Sequence, residues 1–287
     1  MLAALFVAMQ YLLPQHLLTA LIWRVARIRQ VTVKDFLISR FVDIFDVDIA
    51  DVKQDVPGDF ATFNDFFIRE LTPEARPIDV SSTSIVSPVD GTVSVADSIR
   101  GDSIIQAKGI AYSLEDLLAT DLAEADAYRD GTFATIYLAP YNYHRIHAPL
   151  DGELVAARYI PGDLFSVNEA TVARVNGLFR RNERLVMHFE TDYGVAALVF
   201  VGALNVGSIS TPWTGDLRPK KRGVVDALDL SRSSTTVKKG DLLGWFNMGS
   251  TVILMMPSGT CVWGNDVRAG QTLCVGEAIG QLSANTK

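Results

Sequence analysis

RLVMHFETDYGVAALVFVG, residues 184–202, is the stretch whose reading decides the fold. Two runs of β-branched, aromatic and aliphatic residues flank Thr191-Asp192-Tyr193. Short apolar runs of this kind, closed by turn-forming residues, are the mark of strands. The same texture recurs in TFATIYL (132–138), ELVAARYI (153–160) and TVILMMP (251–257), with Gly, Pro, Asp and Asn between the runs. The pattern predicts a mostly antiparallel sandwich or barrel-like sheet. One helix is expected within it, from Ser113 through SLEDLLA.

Upstream the texture is helical. No charged side chain occurs before Arg24, and Leu2, Leu5, Phe6, Met9, Leu12 and Leu13 follow helical spacing, as do Leu17, Leu18, Leu21, Ile22 and Val25. Gln10, Pro14, Gln15 and His16 interrupt the run, which favours two short helices over one span of about 20 residues. Arg24, Arg27, Arg29 and Lys34 follow, where anionic headgroups would be met. The competing reading is a helical hairpin packed on the protein's own core. A third helix is expected near 33–46, with Thr32 and Asp35 at capping-box spacing, and a Phe-rich fourth at DFATFNDFFIREL (59–71). Pro73 to Pro77 reads as linker. The expectation is therefore an α+β chain: amphipathic, membrane-associating helices over residues 1–58, and a β-rich catalytic domain over residues 59–287.

Bulk composition narrows the function. The 287 residues are 48% hydrophobic and 21% charged, with 26 basic against 33 acidic side chains and a net charge of −7. An acidic chain without interleaved basic and aromatic residues is no nucleic-acid binder. A mean hydropathy of +0.20 points to a membrane contact or a large core. Cys261 and Cys274 show no ligand spacing and read as reduced core thiols, so no metal site is expected. No G-x-G-x-x-G or Walker-type loop supports a nucleotide site.

Chemistry gathers at three places. His144 and His147 stand three apart in YNYHRIHAPLDG, as a proton-transfer pair or, lacking a third ligand nearby, a weaker metal pair. Gly249-Ser250 precedes an apolar strand, where a hydroxyl could attack the neighbouring glycine carbonyl if a base took its proton. PVDG (88–91) and PLDG (149–152) are paired turn tetrads, and the first brings Asp90. Asp90, His147 and Ser250 supply the residue types of an acid–base–nucleophile triad. His16 reads as a polar-face or interfacial residue, and His188 as a satisfied core or edge side chain.

These contexts resemble the bacterial phosphatidylserine decarboxylase family. The resemblance runs through Thr62-Phe63-Asn64-Asp65-Phe66-Phe67, Ser87-Pro88-Val89-Asp90-Gly91, Gln106-Ala107-Lys108-Gly109, Tyr143-His144-Arg145-Ile146-His147, Pro161-Gly162-Asp163-Leu164-Phe165-Ser166-Val167-Asn168, Asn182-Glu183-Arg184 and Gly249-Ser250-Thr251. Met248 stands where the family has Leu, a change of similar volume that should leave cleavage intact. The resemblance implies a precursor that cleaves itself between Gly249 and Ser250. Asp90 would orient His147, the base for Ser250, whose hydroxyl attacks the Gly249 carbonyl. Elimination and hydrolysis would leave a pyruvoyl group on residue 250, the cofactor that forms a Schiff base with phosphatidylserine. The fragments 1–249 and 250–287 would stay associated, and a homodimer is allowed. His144 would serve decarboxylation. The turn of Phe165, Ser166, Val167 and Asn168 would hold the lipid phosphate through its amides and hydroxyl, against the alternative of a structural turn. Arg218-Pro219-Lys220-Lys221-Arg222 reads as a solvated loop. The implied location is peripheral, on the cytoplasmic face of a bacterial inner membrane. Two rivals remain: a serine hydrolase on the same triad, which lacks a G-x-S-x-G elbow, and a non-catalytic membrane-bound carrier or binding module, which leaves both histidines unused.

Overall fold

The computed structural model describes residues 2–107, 110–120, 125–221, 223–231 and 234–283; Lys108, Gly109, Arg222 and the side chain of Leu2 lie outside the described residues. The helices are α1 (Leu2–Leu12), α2 (Gln15–Val25), α3 (Val31–Phe45), α4 (Phe63–Phe67), α5 (Leu114–Leu118), α6 (Glu169–Val172) and α7 (Leu178–Arg181). The strands begin with β1 (Ser84–Val86), β2 (Gly91–Ser98), β3 (Ser103–Ala107), β4 (Ile110–Ser113), β5 (Thr132–Leu138), β6 (Arg145–His147), β7 (Gly152–Ile160), β8 (Arg184–Thr191) and β9 (Gly194–Val201). They continue with β10 (Ile209–Thr211), β11 (Gly215–Leu217), β12 (Asp226–Ala227), β13 (Thr236–Val237), β14 (Leu242–Phe246), β15 (Ser250–Met256), β16 (Cys261–Trp263), β17 (Thr272–Leu273) and β18 (Ala278–Leu282).

The sheets make the chain α+β with a β-rich core. The largest runs β12-β7-β8-β9-β15-β5-β2-β17, with β13 also on β7. β15 lies at its centre, antiparallel to β5 and β9, and every one of its residues is buried. A strand covered on both faces must be apolar throughout, which is why STVILMM shows no alternation. A second sheet runs β11-β10-β14-β6, a third β1-β18-β16, and β3 pairs with β4 as a ribbon. The turn tetrads end at Gly91 and Gly152, the first residues of β2 and β7.

Some boundaries differ from expectation. α3 begins at Val31 because Gln30 Oε1 accepts from the Val33 amide, so the Thr32–Asp35 box is not its cap. The fourth helix shrinks to five residues, started by Thr62, whose hydroxyl accepts from the Asp65 amide. Cys261 is buried, but Cys274 is exposed rather than a core thiol. Lys34 is buried on the Pro57 carbonyl, not presented to headgroups, whereas Arg24 and Arg29 are exposed. Arg218, Lys220 and Lys221 are exposed, as a solvated loop would have them, while Arg218 also stacks over the Trp23 ring at 3.7 Å and Lys220 pairs with Asp226.

α1 and α2 meet at a 91° bend, and among the described residues no single helix is long and apolar enough to cross a membrane. The polar interruptions of the apolar run are its docking points. Gln10 Nε2 donates to Thr171 Oγ1 at 3.0 Å, and Gln10 Oε1 accepts from the Ser166 amide at 2.8 Å. Gln15 Oε1 takes the Leu164 amide, His16 Nε2 donates to the Gly162 carbonyl, and Thr19 Oγ1 takes the Asn205 amide. Leu5, Met9, Leu12, Leu17, Leu21, Phe36 and Ile44 are left exposed. A second apolar cluster gathers Ala26, Ile38, Val47, Phe60, Phe63, Phe66 and Phe67, with Phe41 ringed by the last three phenylalanines. It bridges residues 58 and 59, joining α3 to α4.

Removing the Gln10 clasp should loosen the turn it holds. In a Gln10→Ala variant the Ser166 amide should exchange with deuterium about tenfold faster or more, since a lost buried partner exposes that donor to local opening. Unchanged protection at Ser166 would mean the turn holds itself without α1.

Candidate active site

Short-range pairing builds the site. β6 is antiparallel to β14, with His147 opposite Leu242, and just before β6 the His144 carbonyl accepts from the Phe246 amide at 3.1 Å. Three residues apart on extended chain, the two histidines face opposite ways, since side chains alternate. Tyr143 and His147 share one side, their rings stacked at 5.7 Å and the Tyr143 hydroxyl donating to His147 Nε2 at 3.1 Å. His144 takes the other side, against the Phe67 ring at 4.1 Å.

Both imidazoles are set as neutral bases of one tautomer. His144 Nδ1 lies 2.8 Å from the Asn142 carbonyl, and His147 Nδ1 lies 2.7 Å from the Gly240 carbonyl. A carbonyl only accepts, so each Nδ1 carries the proton and each Nε2 keeps its lone pair. Burial pushes the His144 pKa down to about 3, helped by the Arg69 charge and opposed by the Asn142 bond. Burial lowers His147 too. His144 Nε2 has no hydrogen-bond partner, and it lies 3.8 Å from where a Cβ on Gly249 would stand.

Gly249 and Ser250 sit where the chain passes from β14 to β15, that is, from one sheet to another. Ser250 is fully buried; its hydroxyl donates to the Val201 carbonyl and accepts from the Thr251 amide at 2.6 Å. Gly249 does not have a positive φ, and a Cβ there would meet nothing closer than 3.8 Å. Glycine at this position therefore gives access rather than relief of backbone strain.

The structure does not join the expected triad. Asp90 is clasped by Arg76, with Nε at 2.9 and 3.0 Å from its two oxygens and Nη2 at 2.6 Å, and it also accepts from the Val275 amide. His147 is held by Gly240 and Tyr143, and Ser250 by Val201; no hydrogen bond joins any two of the three, although the Asp90 charge is near enough to favour protonated His147 against the larger effect of burial. His144 is the imidazole brought to Gly249.

Beside Gly249 lies a cavity of about 360 Å³, lined by Phe67, Leu138, Ser166, Val167, Asn168, Asn205 and Met248 among others. Three of the four expected binding residues are there. Phe165 is not: it is buried under Tyr11 and the Arg181 guanidinium. Two of the four turn amides expected to hold phosphate are taken by side chains from elsewhere, Phe165 by Asn182 and Ser166 by Gln10, and the Asn168 amide turns onto Ser166 Oγ at 3.4 Å. Asn168 Oδ1 caps α6 by accepting from the Thr171 amide and hydroxyl, so its Nδ2 and the Ser166 hydroxyl are the side-chain donors this turn leaves to a ligand. Among the described residues no cluster of three or more metal-ligating side chains forms.

Sequence reasoning passed over two groups. Arg69, 3% exposed, donates through Nη2 to the Tyr141 carbonyl at 2.9 Å while Nε and Nη1 lack partners. Glu183 is wholly buried behind Gly202; its Oε2 accepts from the Tyr159 hydroxyl at 2.6 Å and its Oε1 has no partner. Burial pushes the Glu183 carboxyl up to about 8, with the Tyr159 bond opposing.

Comparison with known proteins agrees on one family. The profile described as phosphatidylserine decarboxylase matches residues 63–281, and a second, described as PSD, matches residues 5–46. The phosphatidylserine decarboxylase proenzyme of Saccharophagus degradans is 43% identical over 278 residues, 97% of each chain. That of Alcanivorax borkumensis is 42% identical over 284 residues, covering 99% of this chain and 98% of its own. That of Nitrosococcus oceani is 43% identical over 274 residues, covering 95% and 90%.

Glu183 generates a pH prediction. Its folded pKa of about 8 lies above the ordinary 4.5, so between those values the folded chain holds a proton that the unfolded chain has lost. Stability from this group is then full below pH 4.5 and falls as pH rises toward 8, by about 1.4 kcal/mol per unit. Denaturant titrations of Glu183→Gln beside the parent should show this slope removed; parallel pH profiles would mean the carboxylate is charged and solvated.

Proposed function

The chain belongs to the phosphatidylserine decarboxylase family and converts phosphatidylserine to phosphatidylethanolamine, and we propose that it does so with a carbonyl group made from its own Ser250. One observation carries the proposal: Gly249, preceding a buried serine at the head of the central strand, lines a cavity that continues into an apolar groove. The groove, about 290 Å³, is lined by Ile22, Val25, Leu37, Ile44 and Phe63, and it shares Phe41, Phe45 and Met248 with the cavity. A site with a polar turn on one wall and an apolar exit on another suits a headgroup with its acyl chain.

The Ser250 hydroxyl attacks the Gly249 carbonyl carbon, breaking the peptide C–N bond to give an ester and a free amine on residue 250. Loss of the Ser250 Cα proton then expels the Gly249 carboxylate and leaves dehydroalanine. Its imine tautomer takes up water and releases ammonia, leaving a pyruvoyl group. That group supplies an electrophile for the substrate's amine and an electron sink for the bond that loses carbon dioxide. Residues 250–256 remain laddered between β5 and β9, so residues 1–249 and 250–287 stay together after the cut.

The histidines divide the proton work. Ser250 Oγ turns to Val201 while His144 Nε2 faces the glycine beside the cavity, so we assign His144 to the substrate stage. His147, whose Nε2 is engaged by one exchangeable hydroxyl, is assigned with Asp90 to the cleavage stage. Ser166 and Asn168 bind the headgroup through side chains. The exposed apolar faces of α1 to α3, with Arg24 and Arg29, rest in the membrane interface, on the cytoplasmic face of a bacterial inner membrane. This placement spares the lipid its exit from the bilayer, which costs about 0.8 kcal/mol per CH₂ exposed.

Intact mass spectrometry tests the cleavage. The parent chain should appear as two fragments divided at Gly249/Ser250, the smaller without a free amine, and Ser250→Ala should stay whole. A whole parent chain that reacts with acylating inhibitors would favour the hydrolase reading.

Alanine variants test the division. His144→Ala should be cut yet lose decarboxylation by about a hundredfold or more, as expected for a lost proton-transfer group. His147→Ala should be cut far more slowly. An uncut His144→Ala with a normally cut His147→Ala would reverse the two roles.

A further inference from the structure

The crossing from β14 to β15 is pinned at both ends and free in the middle. Phe246 closes its ladder on the His144 carbonyl, and the Ser250 hydroxyl is held by Val201. Between them Asn247 is 2% exposed and tied on three sides. Its amide donates to the Ser208 carbonyl at 3.0 Å. Its Nδ2 donates to Ser208 Oγ at 2.8 Å and Ser210 Oγ at 2.9 Å, with Asp216 Oδ1 at 3.4 Å. Its Oδ1 accepts from Asn64 Nδ2 at 3.0 Å. Asn64 is itself buried in α4, its backbone amide on the Ala26 carbonyl just after α2. Met248 and Gly249 are left without such an anchor. An amide can hold this position because it both donates and accepts; a buried group lacking either face would strand its partners.

We propose that Asn247 is a positioning residue for self-cleavage, clamping the leading end of the crossing between α4 and β10 so that the Gly249 carbonyl stays within reach of Ser250 Oγ. The inference rests on Gly249–Ser250 being the bond that is cut. It also ties the helical region to maturation, because the Asn64 face of the clamp hangs from the residue that follows α2.

The test follows the rate of fragment appearance by intact mass after cell-free synthesis of the full chain. An uncut parent would overturn the underlying reading, not this inference alone. With the parent cut, Asn247→Leu should slow cleavage about tenfold or more, and Asn64→Leu should slow it too, with the double variant no slower than the slower single one. Asn247→Asp separates positioning from bulk stability. Its carboxyl faces Asn64, Ser208, Ser210 and Asp216, with Arg27 behind Asp216 at 3.8 Å, and only the protonated form both donates and accepts as the amide does. Its cleavage rate relative to the parent at the same pH should rise as pH falls from about 8 to 5.5. Parent-like cleavage in Asn247→Leu, or a relative rate for Asn247→Asp that does not change with pH, overturns the proposal.

Discussion

Between Phe246 and Ser250 the chain must leave one sheet and enter another, and the rest of the site is arranged around that three-residue crossing. β14 pairs in the four-stranded sheet with β6, and β15 runs through the middle of the largest sheet. No ladder can continue through the change, so Met248 and Gly249 lie outside both. The peptides on either side of Gly249 therefore lie where the backbone can distort without breaking a sheet. The same pairing that ends at Phe246 sets the β6 register, and with it which histidine faces Gly249. Position of nucleophile, glycine and imidazole thus follows from two antiparallel registers rather than from loop conformation, and sites on rigid elements hold geometry better than sites on loops.

The N-terminal helices close the other side by polar contacts. Gln10, Gln15, His16 and Thr19 break an otherwise apolar run, and each holds backbone of the segments that carry Ser166 and Asn205. Both Ser166 and Asn205 line the cavity beside Gly249. Turning these four polar residues inward leaves much of the outward face apolar, with Leu5, Met9, Leu12, Leu17 and Leu21 exposed. The helices are thereby fixed to the catalytic core while keeping leucines in solvent, a division that a hairpin packed on its apolar face would not show. Their position bears on the shape of the cavity, since Phe41 and Phe45 of α3 form part of its wall.

Much of the fold was legible because its central strands are long and apolar. TFATIYL is β5 residue for residue, and the runs at 153, 184, 194 and 251 differ from β7, β8, β9 and β15 by a residue or two. Periodicity says nothing about partners, so the separate β6–β14 sheet was not foreseen. The site was legible in residue types and not in contacts. Arg76 stands in what reads as linker, 14 positions from Asp90, and no local pattern announces that the two will pair. Phosphate binding by turn amides was plausible from Pro-Gly-Asp chemistry, but the side chains that occupy those amides come from about 150 residues upstream. Arg69 and Glu183 became visible only through burial, which a single sequence does not report.

Those buried groups mark where stability has been given up. His144 Nε2, Arg69 Nε and Nη1, and Glu183 Oε1 all lack partners while enclosed by protein. Buried polar atoms are nearly always paired, and each exception carries a desolvation penalty of about 1–3 kcal/mol. A core selected for stability alone would replace them with apolar side chains. Arg69 and His144 both reach the Asn142 carbonyl, at 3.4 and 2.8 Å, so an unpaired cation sits beside an imidazole that must remain neutral to act as a base. The Arg69 charge adds to burial in holding the proton off His144, while the Asn142 carbonyl fixes the remaining proton on Nδ1. Solvent could do neither, because water would restore the imidazole's ordinary pKa and supply hydrogen bonds to Nε2. His144 Nε2 is thereby left as an uncommitted acceptor facing Gly249, open to a proton or hydrogen-bond donor that enters the cavity.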